Sequence, residues 1–268
     1  MPPGPLFTRT LGERGPRLVF CHGLFGQGRN WTQVAKAFAD DHRVTLVDLP
    51  DHGRSPWTDR FDYPAMAEEL VPLLEDGDPV ALVGHSMGGK VAMLATLAHP
   101  ELVERLCVVD VAPTTYASAS EFERYVAAMR ALDLESLQGR DDADAGLAEA
   151  VPDPTVRSFL LQNLRREGDG QAVGWRWQMN LDVLGDNLDL LRGWPEEAAA
   201  DLPPYDGPVL WIAGSESAYV RDEHAETMER HFPKVRRVSV KGAGHWVHSE
   251  QPAVFIEVLR RFLAARRS

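Results

Sequence analysis

The chain has 268 residues, 44% of them hydrophobic and 25% charged, with a formal net charge of −12 from 28 basic and 40 acidic side chains. That balance fits one soluble globular domain able to bury a large core, and the acidic excess argues against a nucleic-acid or anionic-membrane surface, both of which need basic patches. No apolar run is long enough to span a bilayer; residues 1–17 are rich in Pro and Gly and lack the apolar stretch of a secretory signal, so a cytoplasmic location is expected.

In chain order, Leu18–Cys21 and Val44–Val47 read as strands, with an amphipathic helix expected over Trp31–Ala39 between them. A helix over Ala65–Leu74 follows, with Pro72 expected to break or kink it unless Pro72 falls near a bend, then a strand Val80–Val83, a helix Met87–Ala98 and a strand Leu106–Val109. Most of these strand runs are continuous rather than alternating, the pattern of strands covered on both faces of a parallel sheet. Cys21 and Cys107 lie inside two of them, where a thiol behaves as a small hydrophobe, and no disulfide is expected. From Pro113 to Leu202 no strand of comparable quality appears and the pattern is helical. Ser120 and Glu123 form a capping-box pattern, with Phe122, Tyr125, Val126, Met129 and Leu132 at helical spacing. The breaker cluster at residues 203–208 marks the return of the strand rhythm, with strands Val209–Ala213 and Val235–Val240 and a helix Pro252–Ala265. The expected architecture is α/β, a mainly parallel central sheet with helices on both faces. Residues 1–112 and 203–268 form its core, and residues 113–202 a helical lid inserted over the strand ends, where open α/β sheets bind ligands.

The strand Val80–Val83 runs into Gly84-His85-Ser86-Met87-Gly88 and then a helix. A sharp strand-to-helix turn of this G-x-S-x-G form pushes the serine hydroxyl out of the sheet, and glycines tolerate the crowding around it, so Ser86 is the expected nucleophile. The helix that starts after it points N–H groups and its positive end at a developing oxyanion. The glycine-bearing loop His22-Gly23-Leu24-Phe25-Gly26 after the first strong strand supplies the second half of an oxyanion hole. The expected donors are the N–H groups of Leu24 and Met87, with Phe25 the alternative to Leu24.

A serine hydroxyl needs a base, and His245 is assigned on context: it follows a strand and a glycine loop near the C-terminus, in the chain order Ser, acid, His. His248 is the reserve candidate. His22, His52 and His85 are assigned to structural hydrogen bonding, and His42, His99, His224 and His231 to the surface. For the acid, the loop after Val209–Ala213 reads Gly214-Ser215-Glu216-Ser217, so the position where Asp is common holds Ser217 and Glu216 is one residue out of register. Asp110, at the end of the strand Leu106–Val109, is costly to bury without a partner. It is favoured as the acid over Glu216, against the plainer role of capping the turn before Pro113.

The chain resembles the α/β-hydrolase superfamily, and more closely the YbfF-type bacterial esterases and related mitochondrial abhydrolase-domain esterases. The blocks that carry the likeness are 22–26, 84–90, 109–113, 125–130, 175–181 and 242–248. The resemblance implies an esterase or thioesterase acting on short to medium acyl groups of a small-molecule substrate through an acyl-enzyme, with no metal or organic cofactor. It also implies that the acid follows the sixth strand, consistent with Asp110, and that Phe25, Phe122, Trp175 and Trp177 line an acyl pocket; lid packing is the alternative role for the lid aromatics. Competing readings are a non-catalytic ligand-binding protein of the same fold and a lyase- or haloperoxidase-like relative using the same three residues; fold alone does not decide between them.

Overall fold

Runs such as Arg17-Leu-Val-Phe-Cys21 and Val80-Ala-Leu-Val-Gly-His85 are buried at every position, which requires cover on both faces. The computed structural model describes residues 4–117, 120–168 and 174–265 and shows how that cover is supplied. Seven strands form one sheet: β1 (Thr8–Leu11), β2 (Arg17–Cys21), β3 (Arg43–Val47), β4 (Val80–His85) and β5 (Val103–Val109), with β8 (Val209–Gly214) and β9 (Val235–Val240), in the order β1-β3-β2-β4-β5-β8-β9. All neighbouring pairs are parallel except β1 with β3. Because side chains alternate across a strand, Val19 and Cys21 enter one hydrophobic core while Leu18 and Phe20 enter the other. Helices Tyr63–Leu74 and Met87–Ala98 build the first core, and Trp31, Phe38, Phe255 and Leu259 the second. Cys21 and Cys107 are therefore on opposite faces, both free and buried.

Several local expectations are corrected. Within residues 31–39 only Thr32–Lys36 is α-helix, and Trp31 ends a 3₁₀ turn that begins at Gly28. Pro72 does not break its helix: it sits in the last turn of Tyr63–Leu74, and the next ladder bond, from the Glu75 N–H to the Val71 carbonyl, is made at 2.9 Å. The insertion is not purely helical. Strands β6 (Leu164–Glu167) and β7 (Gly174–Trp177) pair antiparallel within it, between helices that begin with Ser120–Ala131 and include Leu188–Arg192. The side chain of Ser120, and with it the capping box, lies outside the described residues. His231 is not at the surface: it is 8% exposed and faces the Trp194 ring.

Register brings the site together. Cys21 pairs with Gly84, and His85 with Val109, so β2, β4 and β5 end on one edge of the sheet. The loop after β2, the turn after β4 and Asp110 after β5 all emerge there.

Candidate active site

Ser86 sits between β4 and the helix Met87–Ala98 at φ 53°, ψ −122°. Such a conformation is costly for a residue with a Cβ and persists only where the surroundings over-determine it. The turn closes through bonds from the Gly89 and Lys90 N–H groups to the Ser86 carbonyl, at 2.8 and 3.1 Å. A Cβ on Gly84 would collide with the Gly88 carbonyl oxygen, and one on Gly88 with the His22 carbonyl oxygen, so the glycines of the motif allow the strand, the helix and the loop after β2 to approach this closely. Phe25 and Asp110 also have positive φ, 59° and 50°; with Ser86 they are three of the four such non-glycine residues described.

Three side chains meet across the strand ends. His245 Nε2 lies 3.0 Å from Ser86 Oγ, and His245 Nδ1 lies 2.8 Å from Asp110 Oδ2. Asp110 is fully buried. Its other oxygen accepts the Gly214 N–H at 2.9 Å, and Oδ2 also accepts the Ser217 hydroxyl. Ser217, at the position where Asp is common, thus donates to the carboxylate. Glu216 is exposed, its N–H is bonded to the Ala243 carbonyl, and its side chain makes no hydrogen bond to His245 among the described residues. The geometry places Asp110, not Glu216, beside the imidazole.

The His245 ring stacks on Tyr219, with centroids 4.1 Å apart, and its carbonyl accepts a bond from His85 Nε2 at 2.9 Å. Neither His85 nor Tyr219 stood out in the sequence as a partner of His245. His22 and His52 hold the loop after β2: each donates from Nδ1 to a carbonyl, and each accepts a backbone N–H at Nε2, from Leu49 and Phe25 respectively. Burial pushes their pKa values down to about 4 and about 3, so both are neutral. The Phe25 N–H is thereby engaged by His52, which removes it as an alternative oxyanion donor. The N–H groups of Leu24 and Met87 have no partner among the described residues. His248, the reserve base, stacks on Trp31 at 4.0 Å and is pushed down to about 3, first by burial.

Two largely apolar cavities border Ser86. The first is walled by Phe25, Val156, Phe159, Leu160 and Trp246, the second by Tyr63, Val111, Tyr116, Leu188 and Leu191; Leu24 and Phe122 border both. Trp175 and Trp177 border neither. Their indole N–H groups donate inward, to the Leu137 carbonyl at 3.1 Å and the Met129 carbonyl at 3.3 Å, so the expectation that they line the pocket is corrected to packing within the insertion. Lys90 reaches the second cavity although it is 2% exposed. Its ammonium donates to the carbonyls of Leu191, Arg192 and Gly193, tying the helix Met87–Ala98 to the insertion, while burial lowers its pKa to about 7. No group of His, Cys, Asp and Glu suited to a metal ion occurs among the described residues, and no described helix is long and apolar enough to cross a membrane.

The family model for the alpha/beta hydrolase fold matches residues 16–252. The chain is 39% identical to the sn-1-specific diacylglycerol lipase ABHD11 of Mus musculus, over 93% of this chain and 81% of that one. It is 33% identical to esterase YbfF of Escherichia coli (strain K12), over 92% of each. Among solved structures, a marine microorganism esterase superposes with a TM-score of 0.91 at 34% identity, covering 96% of this chain and 99% of that one.

Proposed function

This chain belongs to the α/β-hydrolase fold family and is an esterase- or lipase-type member of it, and from that premise we propose that it cleaves carboxylic esters or thioesters of short to medium acyl chains through an acyl-enzyme on Ser86. The observation that carries the reading is the continuous chain from Ser86 Oγ through His245 to Asp110, with heavy-atom separations of 3.0 and 2.8 Å.

In this mechanism His245 Nε2 takes the Ser86 proton as Oγ attacks the substrate carbonyl. Asp110 holds Nδ1 protonated and stabilises the imidazolium that results. The oxyanion enters the space before the Leu24 and Met87 N–H groups, at the positive end of the helix Met87–Ala98, where each preorganised donor is worth about 3 kcal/mol in the transition state. His245 then protonates the departing alcohol or thiol, and a water activated by the same imidazole releases the acid. Phe25 and Phe122 contact substrate, and the two cavities divide its acyl chain from its leaving group. Residues 113–202 act as the lid over this centre.

The test is a p-nitrophenyl ester series from acetate to octanoate on wild type and Ser86→Ala. Turnover by the wild type that the substitution abolishes is the expected result. No turnover by either protein would favour a non-catalytic binder.

A further inference from the structure

A second cleft stands against the charge of the whole molecule. In a chain with 40 acidic and 28 basic side chains, Arg9, Arg29, Arg54 and Arg165 border one cleft with a single carboxylate, Asp48. That carboxylate is already used by the backbone: Oδ1 accepts the Gly28 N–H at 2.7 Å and Oδ2 the Arg54 N–H at 2.9 Å. None of the four guanidinium groups has an ion-pair partner among the described residues, whereas Arg176, paired with Arg165 across β6 and β7, does. Their other contacts leave donors free, since a guanidinium carries five N–H groups. Arg29 spends one on the Gln162 carbonyl at 2.8 Å, Arg165 one on the Leu164 carbonyl at 3.3 Å, Arg54 lies over the Phe7 ring, and the Arg9 side chain makes no hydrogen bond among the described residues. Arg165 is held below its ordinary pKa by burial and then by Arg29, Arg140, Arg54 and Arg176, so these cations are close enough to repel one another.

Gathering like charges is unfavourable unless an anion offsets it, and forked guanidinium donors match the oxygens of a phosphate group. One backbone ribbon borders both this cleft and the cavity at Ser86. Gln27, Gly28 and Arg29 border the cleft, while Gly26, Asn30 and Trp31 of the same ribbon border the cavity at Ser86. Arg165 and Gln178 contribute from the insertion. Four guanidinium groups suit an anion and not an acyl chain, so an occupant joined to the substrate belongs to its leaving group.

We propose that this arginine cleft binds a phosphate group carried on the leaving-group side of the substrate. The proposal rests on the hydrolase reading above, so its test has one arm that needs no turnover. Inorganic pyrophosphate, titrated at constant ionic strength, is expected to raise the Tm of the wild type saturably. The rise should vanish in Arg29→Gln/Arg165→Gln and weaken in Arg9→Gln, where no native hydrogen bond is lost. Absence of a rise in wild type, or an equal rise in all three proteins, overturns the site. The second arm compares butyryl-coenzyme A with S-butyryl-N-acetylcysteamine, a thioester without phosphate. The double variant should raise KM about tenfold or more for the first alone, with kcat held, as loss of charged contacts predicts. Equal KM changes for the two thioesters would make the anion a free ligand and overturn its assignment to the substrate. Hydrolysis of p-nitrophenyl butyrate by the double variant at the wild-type rate keeps this outcome separate from any failure of the Ser86 chemistry.

Discussion

Replacing Asp110 by Asn separates position from charge. The carboxylate accepts three bonds, from the Gly214 N–H, the Ser217 hydroxyl and His245 Nδ1, and an amide of the same shape can serve only some of them. If the amide oxygen stays on Gly214, its NH₂ faces Nδ1. The imidazole then carries its proton on Nε2 and donates to Ser86 instead of accepting from it. If the amide flips, the Gly214 N–H loses its acceptor at a cost of about 1–3 kcal/mol. The tautomer effect is the larger: the equivalent change in a trypsin-type enzyme lowers kcat about 10⁴-fold, or about 5.5 kcal/mol of barrier. The assay is kcat on p-nitrophenyl butyrate, with Ser86→Ala as the floor and near-ultraviolet circular dichroism to verify packing. Asp110→Asn should fall by three to four orders of magnitude (~10³–10⁴) while Glu216→Gln stays near wild type. A loss of less than about tenfold at Asp110, or the reverse ranking, would refute the assignment of the acid.

Other substitutions probe the frame. Lys90 should be tested as Lys90→Met: with a folded pKa of about 7 against about 10.4 in an unfolded chain, the unfolded state binds the extra proton between those values. Wild-type stability should therefore rise with pH across that window relative to the variant; parallel urea midpoints from pH 7 to 10 would contradict this. Gly88→Ala drives a Cβ into the His22 carbonyl and should cost roughly 1–3 kcal/mol, an expectation that an unchanged denaturation midpoint would defeat. Trp177→Ala should lower stability by about 3–5 kcal/mol while leaving the acyl-chain profile intact. Phe122→Ala should instead redistribute KM across the acetate-to-octanoate series, and the opposite pairing would return Trp177 to the pocket.

What the sequence reveals follows from how each element is buried. The strands covered on both faces, such as Leu106-Cys-Val-Val109, are legible because a short run apolar at every position, bounded by polar residues, suits a strand with no solvent-facing side. Edge strand β1, with its two central residues exposed, leaves no such trace, and neither does β6, where Arg165, Arg166 and Glu167 follow a single buried leucine. Ser86 and His245 announce themselves through glycine-bearing turns, and Asp110 through the cost of a carboxylate after an apolar strand. The direction of an indole is not encoded locally, which is why Trp175 and Trp177 resemble pocket residues in sequence yet donate into the insertion. Ser217 is visible only as a missing aspartate. That its hydroxyl serves Asp110 depends on the pairing of β5 with β8, a long-range fact. Lys90 is similar: its place on the helix after Ser86 is readable, but its three carbonyl partners come from residues 191–193.

The most direct measurement is mass spectrometry of the protein after exposure to an alkyl fluorophosphonate, which reacts with serines activated by a neighbouring base. A single adduct on the peptide containing Ser86, absent in Ser86→Ala and formed far more slowly in His245→Ala, is the expected result. An unlabelled wild type, or an adduct on another residue, would contradict the assignment of Ser86 as an activated nucleophile.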